Sequence, residues 1–324
     1  MHAIDATDVT KRYGDVTALE GLSLTVEEGS TFGLLGTNGA GKTTLFKLLV
    51  GHVEPDSGGL EVAGRDVATA GAAVRRFVGY LPEQAGFPPS LTGREVLAFH
   101  ARMRGLPADE RGDRIDAVLE TVGLTGATDR AVSGYSNGMN RRLGLATALL
   151  PQPRILLLDE PTAGLDPLGV TAFHRIVRRL RAESDLTVVL SSHVMTEVEA
   201  LCDSVAVLHE GRLRAVGSVA DLKAETDGRL TVRVRLADGG DPDEVLDLAT
   251  GHSCTVTAND GASTEFACDR GRVPAVLESL NGLDAVEGFE VTEAGLDRVF
   301  EAALSDPQDA DRDVDAATPQ GVDT

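Results

Sequence analysis

Ile155-Leu156-Leu157-Leu158-Asp159-Glu160-Pro161-Thr162-Ala163-Gly164-Leu165-Asp166 decides how the rest of the chain is read. Four consecutive apolar residues, Ile155 to Leu158, predict a strand buried on both faces, the kind found in the middle of a parallel sheet. The strand stops abruptly at two carboxylates, Asp159 and Glu160, followed by Pro161. Ligands of open α/β sheets bind at the carboxyl ends of the strands. Two acids at such an edge need a partner charge, and a metal ion is the usual one. A strand that merely ends in an acidic turn would look the same, so the reading needs a matching half elsewhere.

That half lies upstream. A β-rich run, Thr31–Leu35, feeds into Gly36-Thr37-Asn38-Gly39-Ala40-Gly41-Lys42-Thr43-Thr44, and an apolar helix is expected over Leu45–Val50. The spacing is G-x-x-x-x-G-K-[ST] in the strand–loop–helix setting that a P-loop requires. Gly36, Gly39 and Gly41 let the backbone curl, so that successive N–H groups, those of Asn38, Ala40 and Thr44 among them, face one anion. The new helix adds the positive end of its dipole. Lys42 supplies a point charge for the β- and γ-phosphates, and the Thr43 hydroxyl is a ligand for Mg²⁺. Asp159 is then the outer partner of that Mg²⁺, and Glu160 is placed to polarise the attacking water. Hydrolysis of a nucleoside triphosphate is the predicted reaction class.

Composition narrows the partners. The 324 residues have room for one large domain and one small one. No apolar run reaches membrane-spanning length and no secretory leader is present, which predicts a soluble, cytoplasmic chain. A net charge of -21 argues against binding nucleic acid or anionic lipid. Only Lys11, Lys42, Lys47 and Lys223 are lysines among the 30 basic residues. An acid-rich, lysine-poor surface with few aromatics predicts a protein kept hydrated in concentrated salt, as in haloarchaea. Cys202, Cys254 and Cys268 show no paired-ligand spacing and are read as small core residues, neither a disulfide framework nor a zinc site.

What separates the two halves of the site discriminates among P-loop proteins. The P-loop is followed by VGYLPEQAGFPPSLTGREVL (78–97) and by helical segments near Arg94–Met103 and Asp109–Val122. Then comes Tyr135-Ser136-Asn137-Gly138-Met139 directly before RRLGLATALL, the acidic strand, Ala163–Asp166, and a strand TVVLSS ending at His193. This order resembles the nucleotide-binding subunit of ATP-binding cassette (ABC) transporters over residues 1 to about 225. The resemblance implies an α/β P-loop NTPase cassette with a parallel-sheet core, an antiparallel β subdomain and a helical signature subdomain.

It also implies roles. Tyr13 would stack on adenine, with a surface tyrosine in a turn before Gly14 as the lesser alternative. Ser136 and Gly138 would bind the γ-phosphate of ATP held by a second copy, and Ser136 also suits an ordinary helix N-cap. Asp166 would organise the facing site, and His193 would contact the γ-phosphate. The slot that usually carries a Mg²⁺-contacting glutamine follows Pro82, which makes it Glu83 here, with Gln84 one step later; both stay open. The signature loop departs from the commonest form, with Asn137 and Met139 in place of glycine and glutamine. One set of motifs per chain favours a homodimer in the ATP-bound state.

Beyond the cassette, residues 226–304 read as strand, helix, strand, strand, helix, strand: Leu230–Leu236, Pro242–Ala249, Cys254–Ala258, Thr264–Cys268, Val273–Leu280 and Ala285–Val291. That order predicts a ferredoxin-like α+β accessory module closed by a helix, Gly295–Leu304. Residues 305–324 carry six aspartates against one arginine and are expected to be an acidic disordered tail.

The resemblance thus implies an ATPase subunit that couples ATP and Mg²⁺ to a separate integral-membrane permease, peripheral on the inner face of the membrane. GYLPEQ, YSNGMNRRLGLATALL and HEGRLRAVGSVADLKAE are most similar to the copper-processing ATPase of nitrous-oxide reductase maturation, within a drug-exporter-like branch. The competing reading is a soluble ABC ATPase acting on ribosomes or DNA. Such proteins carry two cassettes or coiled-coil arms, and this chain has neither.

Overall fold

The computed structural model describes residues 1–225, 229–237, 239–293, 296, 299 and 300. The chain forms two compact units, Met1–Ser218 and a second beginning at Val219. The division falls at the end of a sheet strand, earlier than the expected boundary at 225.

The first unit runs β1 (His2–Tyr13), β2 (Val16–Glu27), β3 (Thr31–Gly36), α1 (Lys42–Leu49), β4 (Ser57–Val62), β5 (Arg65–Asp66) and α2 (Val67–Val74). It continues with β6 (Val78–Leu81), α3 (Gly93–Met103), α4 (Arg111–Thr121), α5 (Asn137–Leu149) and β7 (Ile155–Leu158). It closes with α6 (Pro167–Glu183), β8 (Thr187–Ser192), α7 (Met195–Leu201), β9 (Ser204–His209) and β10 (Arg212–Ser218).

Six strands form the central sheet in the order β10-β9-β3-β8-β7-β6. All its pairings are parallel except β9 with the edge strand β10. Every residue of β3, β7 and β8 is buried, as their unbroken apolar and small-polar composition requires. An antiparallel sheet, β2-β1-β4-β5, lies in the same unit. Ile4, Leu22, Leu24, Leu60 and Val62 from it share one core with Phe46, Leu48 and Leu49 of α1.

Register places the site. Leu158 of β7 pairs with Leu190 of β8, and Leu35 of β3 pairs with Ser192. Parallel strands in this register bring their carboxyl ends to one edge. There β3 runs into the P-loop, β7 into Asp159 and Glu160, β8 into His193, and β6 into Pro82 and Glu83. Gly36 must be glycine at this crossing, because a Cβ there would sit 2.5 Å from the Leu208 carbonyl oxygen of β9.

Helix starts follow their caps. Thr92 and Glu95 form a reciprocal capping box on α3. Ser136 Oγ accepts the Met139 N–H at 3.2 Å, so α5 begins at Asn137, before the expected RRLGLATALL segment. Asp166 caps α6 through the Gly169 N–H at 2.6 Å, with Pro167 in the first turn. α1 starts at Lys42, earlier than Leu45, because the P-loop ends in the first helical turn.

The second unit holds α8 (Val219–Glu225), β11 (Arg229–Leu236), α9 (Pro242–Gly251), β12 (Thr255–Asn259), β13 (Ser263–Asp269), α10 (Val273–Leu280) and β14 (Val286–Glu293). Its sheet order is β12-β13-β11-β14 with every pair antiparallel, the arrangement of a ferredoxin-like module. Val232, Val234 and Phe266 of the sheet pack with Val245, Ala249, Val276 and Leu280 of the helices. Of the expected closing helix, Leu296 and Phe300 are buried. The remainder of Gly295–Leu304, apart from position 299, and the tail 305–324 lie outside the described residues.

The cysteines correct one expectation. Cys254 and Cys268 form a disulfide with Cα atoms 4.6 Å apart, while Cys202 is free and buried. Thr255 pairs with Ala267 in the β12–β13 hairpin. Extending that register by one residue puts Cys254 opposite Cys268, within bridging distance. Reading the spacing without the hairpin left the two cysteines apart.

Candidate nucleotide site

The P-loop wraps a cavity of about 410 Å³ lined by residues 37–44, together with Val16, Thr17, Ala18, Glu83, Glu160, Ala163 and His193. Gly39 (φ 85°) and Gly41 (φ 108°) take the left-handed turns that aim the loop's N–H groups inward. A Cβ on Gly41 would also lie 2.5 Å from the Ala18 carbonyl oxygen. The α1 N-terminus opens on this cavity, which favours an anion there.

Lys42 is buried across the loop it belongs to. Its ammonium donates to the Gly36 carbonyl at 2.6 Å and to the Thr37 carbonyl at 3.3 Å. It also lies 3.1 Å from Glu160 Oε1. That ionic contact lacks hydrogen-bond geometry, so Oε1 is a buried acceptor with no donor of its own. Glu160 Oε2 lies 2.8 Å from His193 Nδ1. Lys42, Glu160 and His193 therefore form a continuous chain of charged and polar groups along one cavity wall.

Asp159 is held by three hydroxyls. Thr43 Oγ1 donates to its Oδ2 at 3.0 Å, Tyr80 OH donates to the same oxygen at 3.3 Å, and Ser191 Oγ donates to Oδ1 at 2.8 Å. Burial first, and then the Asp159 charge, push the Tyr80 phenol well above its ordinary range, so it stays a donor. A hydroxyl paired with a carboxylate, and Glu83 on the same cavity, are oxygen donors of the kind Mg²⁺ takes, so the residues fit that ion.

Glu160 has a left-handed backbone (φ 43°), a conformation costly for a residue with a Cβ. It is held from both sides. The Glu160 N–H donates to Ser191 Oγ at 3.0 Å, and its carbonyl accepts from Arg141 Nη2 at 2.8 Å. Arg141 is the functional residue that sequence reasoning missed. It is 7% exposed and its guanidinium also donates to the carbonyls of Pro82, Glu83, Asp159 and Pro161. Burial lowers its pKa to about 10, which leaves it charged at neutral pH. The sequence did carry a signal. Arg141 shares a helix face with the buried Leu145 and Ala148 of α5, where an apolar side chain is expected.

The other expected residues are distributed as follows. Glu83 lines the P-loop cavity, whereas Gln84 lines the adjoining one of about 480 Å³ with Glu83, Asn137 and Arg141. Ser136, Gly138 and Asp166 line a third cavity of about 450 Å³ and are absent from the P-loop wall. Tyr13 is 45% exposed at the end of β1, with the Lys11 ammonium 5.6 Å from its ring centre. It does not line the P-loop cavity; Val16, Thr17 and Ala18 do.

A parallel-sheet P-loop NTPase with a serine-capped helix remote from its own phosphate loop is the class that fold and site define. The family description "ABC transporter" matches residues 19–163. The chain is 41% identical over 210 residues to the bacitracin transport ATP-binding protein BcrA of Bacillus licheniformis, covering 65% of this chain and 68% of that one. It is 36% identical over 287 residues to the Nod factor export ATP-binding protein I of Rhizobium sp. strain N33, covering 88% and 92%. A solved ATP-binding subunit of an ABC transporter superposes with a TM-score of 0.62 at 30% identity, covering 69% of this chain and 93% of that one. The chain belongs to the ATP-binding subunits of ABC transporters, and its reaction is ATP hydrolysis.

Proposed function

We propose that this chain is the ATPase subunit of an ABC exporter, working as a homodimer on a separate membrane permease. The observation that carries the reading is the split of the site. Lys42, Glu160 and His193 converge on one cavity, while Ser136 and Gly138 open on another. The Ser136 hydroxyl and the N-terminus of α5 have no phosphate loop of their own to serve, so a second copy supplies it. Two chains facing each other in this way hold two ATP molecules between P-loop and capped helix.

Within one such site, the P-loop N–H groups and Lys42 bind the β- and γ-phosphates. Thr43, Asp159 and Glu83 would hold Mg²⁺, which when bound neutralises charge on the transferred phosphoryl group. Glu160 accepts the proton of the attacking water, and His193 holds Glu160 on one side and meets the γ-phosphate on the other. ATP entering the cavity must draw Lys42 away from Glu160, which frees the carboxylate for water.

The named relatives are ATP-binding proteins for bacitracin transport and Nod factor export. They support an export role and the inner face of the membrane as the place of work. Copper processing and adaptation to high salt rest on the segments and composition of this sequence alone. Among the described residues no helix is long and apolar enough to cross a membrane.

The deciding experiment is capture of a tagged Glu160→Gln chain with ATP from its native host in mild detergent. Co-purification of a multi-spanning membrane protein is expected, and copper bound in the captured complex would extend the reading to copper processing. Ribosomal or DNA-repair components without a membrane protein would overturn it.

A further inference from the structure

Glu197, on α7, plays no part in the chemistry described above, yet it is a buried carboxylate, 8% exposed. Its Oε2 accepts from Thr162 Oγ1 at 2.6 Å and from Ser192 Oγ at 3.1 Å. Thr162 is 8% exposed and Ser192 1% exposed, so all three groups are sealed from water. Ser192 Oγ in turn accepts the Val194 N–H at 2.9 Å. The residues bound in this way flank the reacting groups. Thr162 lies two positions after Glu160, and Ser192 and Val194 stand on either side of His193.

The anchor itself is fixed. A Cβ on Gly33 of β3 would lie 2.5 Å from Val198 Cγ1, which shows how closely α7 approaches that strand. Val198 is fully buried, and β3 runs directly into the P-loop. The helix that carries Glu197 is thus packed against the strand that leads into the phosphate loop. The two hydroxyl bonds satisfy the buried carboxyl group, and leaving it unpartnered there would be strongly disfavoured.

We infer that Glu197 is a positioning residue that ties the His193 loop to the Glu160–Thr162 loop and sets the contact between His193 and Glu160. The inference rests on the assignment of those two residues to hydrolysis. Without the carboxylate, Thr162 and Ser192 lose their common acceptor, and the two loops are no longer referenced to one point on β3. The distance from His193 to Glu160, 2.8 Å, is then free to lengthen.

The test is a double-mutant cycle on the full chain, reading kcat and KM for MgATP together with thermal unfolding. Glu197→Ala is expected to lower kcat about tenfold with KM within about twofold. Glu197→Gln, which keeps one acceptor oxygen, should recover most of the loss. Thr162→Val and Ser192→Ala, which remove the same bonds from the other side, should each lower kcat in the same sense. In a His193→Ala background the Glu197→Ala change should cost nothing further, because the contact it sets is already gone.

Two results overturn the inference. One is a Glu197→Ala chain with unchanged kcat. The other is an equal fold-loss in the presence and absence of His193, which would mark a purely structural carboxylate. Wild-type turnover in His193→Ala alone would instead defeat the assignment of His193, so the two failures are distinguishable.

Discussion

Lys42 and Glu160 face each other at 3.1 Å across the phosphate cavity, with side chains 7% and 11% exposed. On the proposed roles, the phosphate-binding ammonium and the water-activating carboxylate are paired with one another. ATP binding that draws Lys42 onto phosphate would then also free Glu160.

Glu160→Gln should release Lys42 from this pairing. ATP affinity is expected to hold or rise, while turnover falls by roughly a hundredfold or more, the range seen when a general base is removed. Lys42→Ala should instead weaken ATP binding at least about tenfold. Equilibrium nucleotide binding beside single-turnover hydrolysis separates the two, and equal loss of affinity in both variants would refute the arrangement.

Arg141→Met keeps the side chain's bulk but strips the donors from five carbonyls, those of Pro82, Glu83, Asp159, Glu160 and Pro161. A destabilisation of about 3 kcal/mol or more is expected, because several buried acceptors lose partners together. Denaturant unfolding measures it. A loss under about 1 kcal/mol would show that water replaces the guanidinium.

Chains carrying Lys42→Ala and chains carrying Ser136→Ala should each be nearly inactive alone. Mixed together, they form heterodimers in which one site has an intact P-loop facing an intact Ser136. Partial return of ATPase activity on mixing is the expected result, and no return would count against the homodimer. Ser136→Ala also removes an N-cap, so a stability loss of about 1 kcal/mol should accompany it.

His52, His100 and His174 all have pKa values lowered in the fold, each by burial first; nearby arginines, and Lys47 for His52, add to the effect, while Glu197 opposes it at His174. A group depressed in this way is neutral when folded and takes up its proton more readily when unfolded. Stability from these residues is therefore present above the ordinary histidine range and is lost as pH falls below it. Unfolding free energy should drop between pH 7 and pH 5, and His52→Gln should flatten part of that slope.

Reduction of Cys254–Cys268 should destabilise the second unit by roughly 3 kcal/mol, the chain-entropy figure for a loop of this length. Thiol titration before and after reduction would find one cysteine and then three. A count of three without reductant would exclude the bridge.

The legibility of this chain follows the distance between partners. The P-loop and the acidic pair are short contiguous motifs at strand ends, and each could be read where it stood, while His193 was reached only through the family resemblance. Ser136, too, could be read in place as a helix cap, whereas the cap that Asp166 places on α6 emerged only in the structure. Arg141, Ser191, Tyr80 and Glu197 were silent because their partners are backbone carbonyls or side chains brought in by the sheet register. The disulfide was missed although its two cysteines are placed symmetrically about Gly261 in the β12–β13 hairpin. Hairpin symmetry, applied to the cysteines, would have paired them. Of the stretch joining β1 to β2, only Tyr13 was singled out, whereas the residues that line the cavity are Val16, Thr17 and Ala18.

Glu160 occupies a backbone position that suits glycine, with a φ of 43°. Glu160→Gly would relax that turn, yet it would also leave the buried Lys42 ammonium without its counter-charge, so the backbone gain and the broken pair oppose one another. On the proposed role, the strained turn persists because a carboxylate is needed beside the phosphate loop.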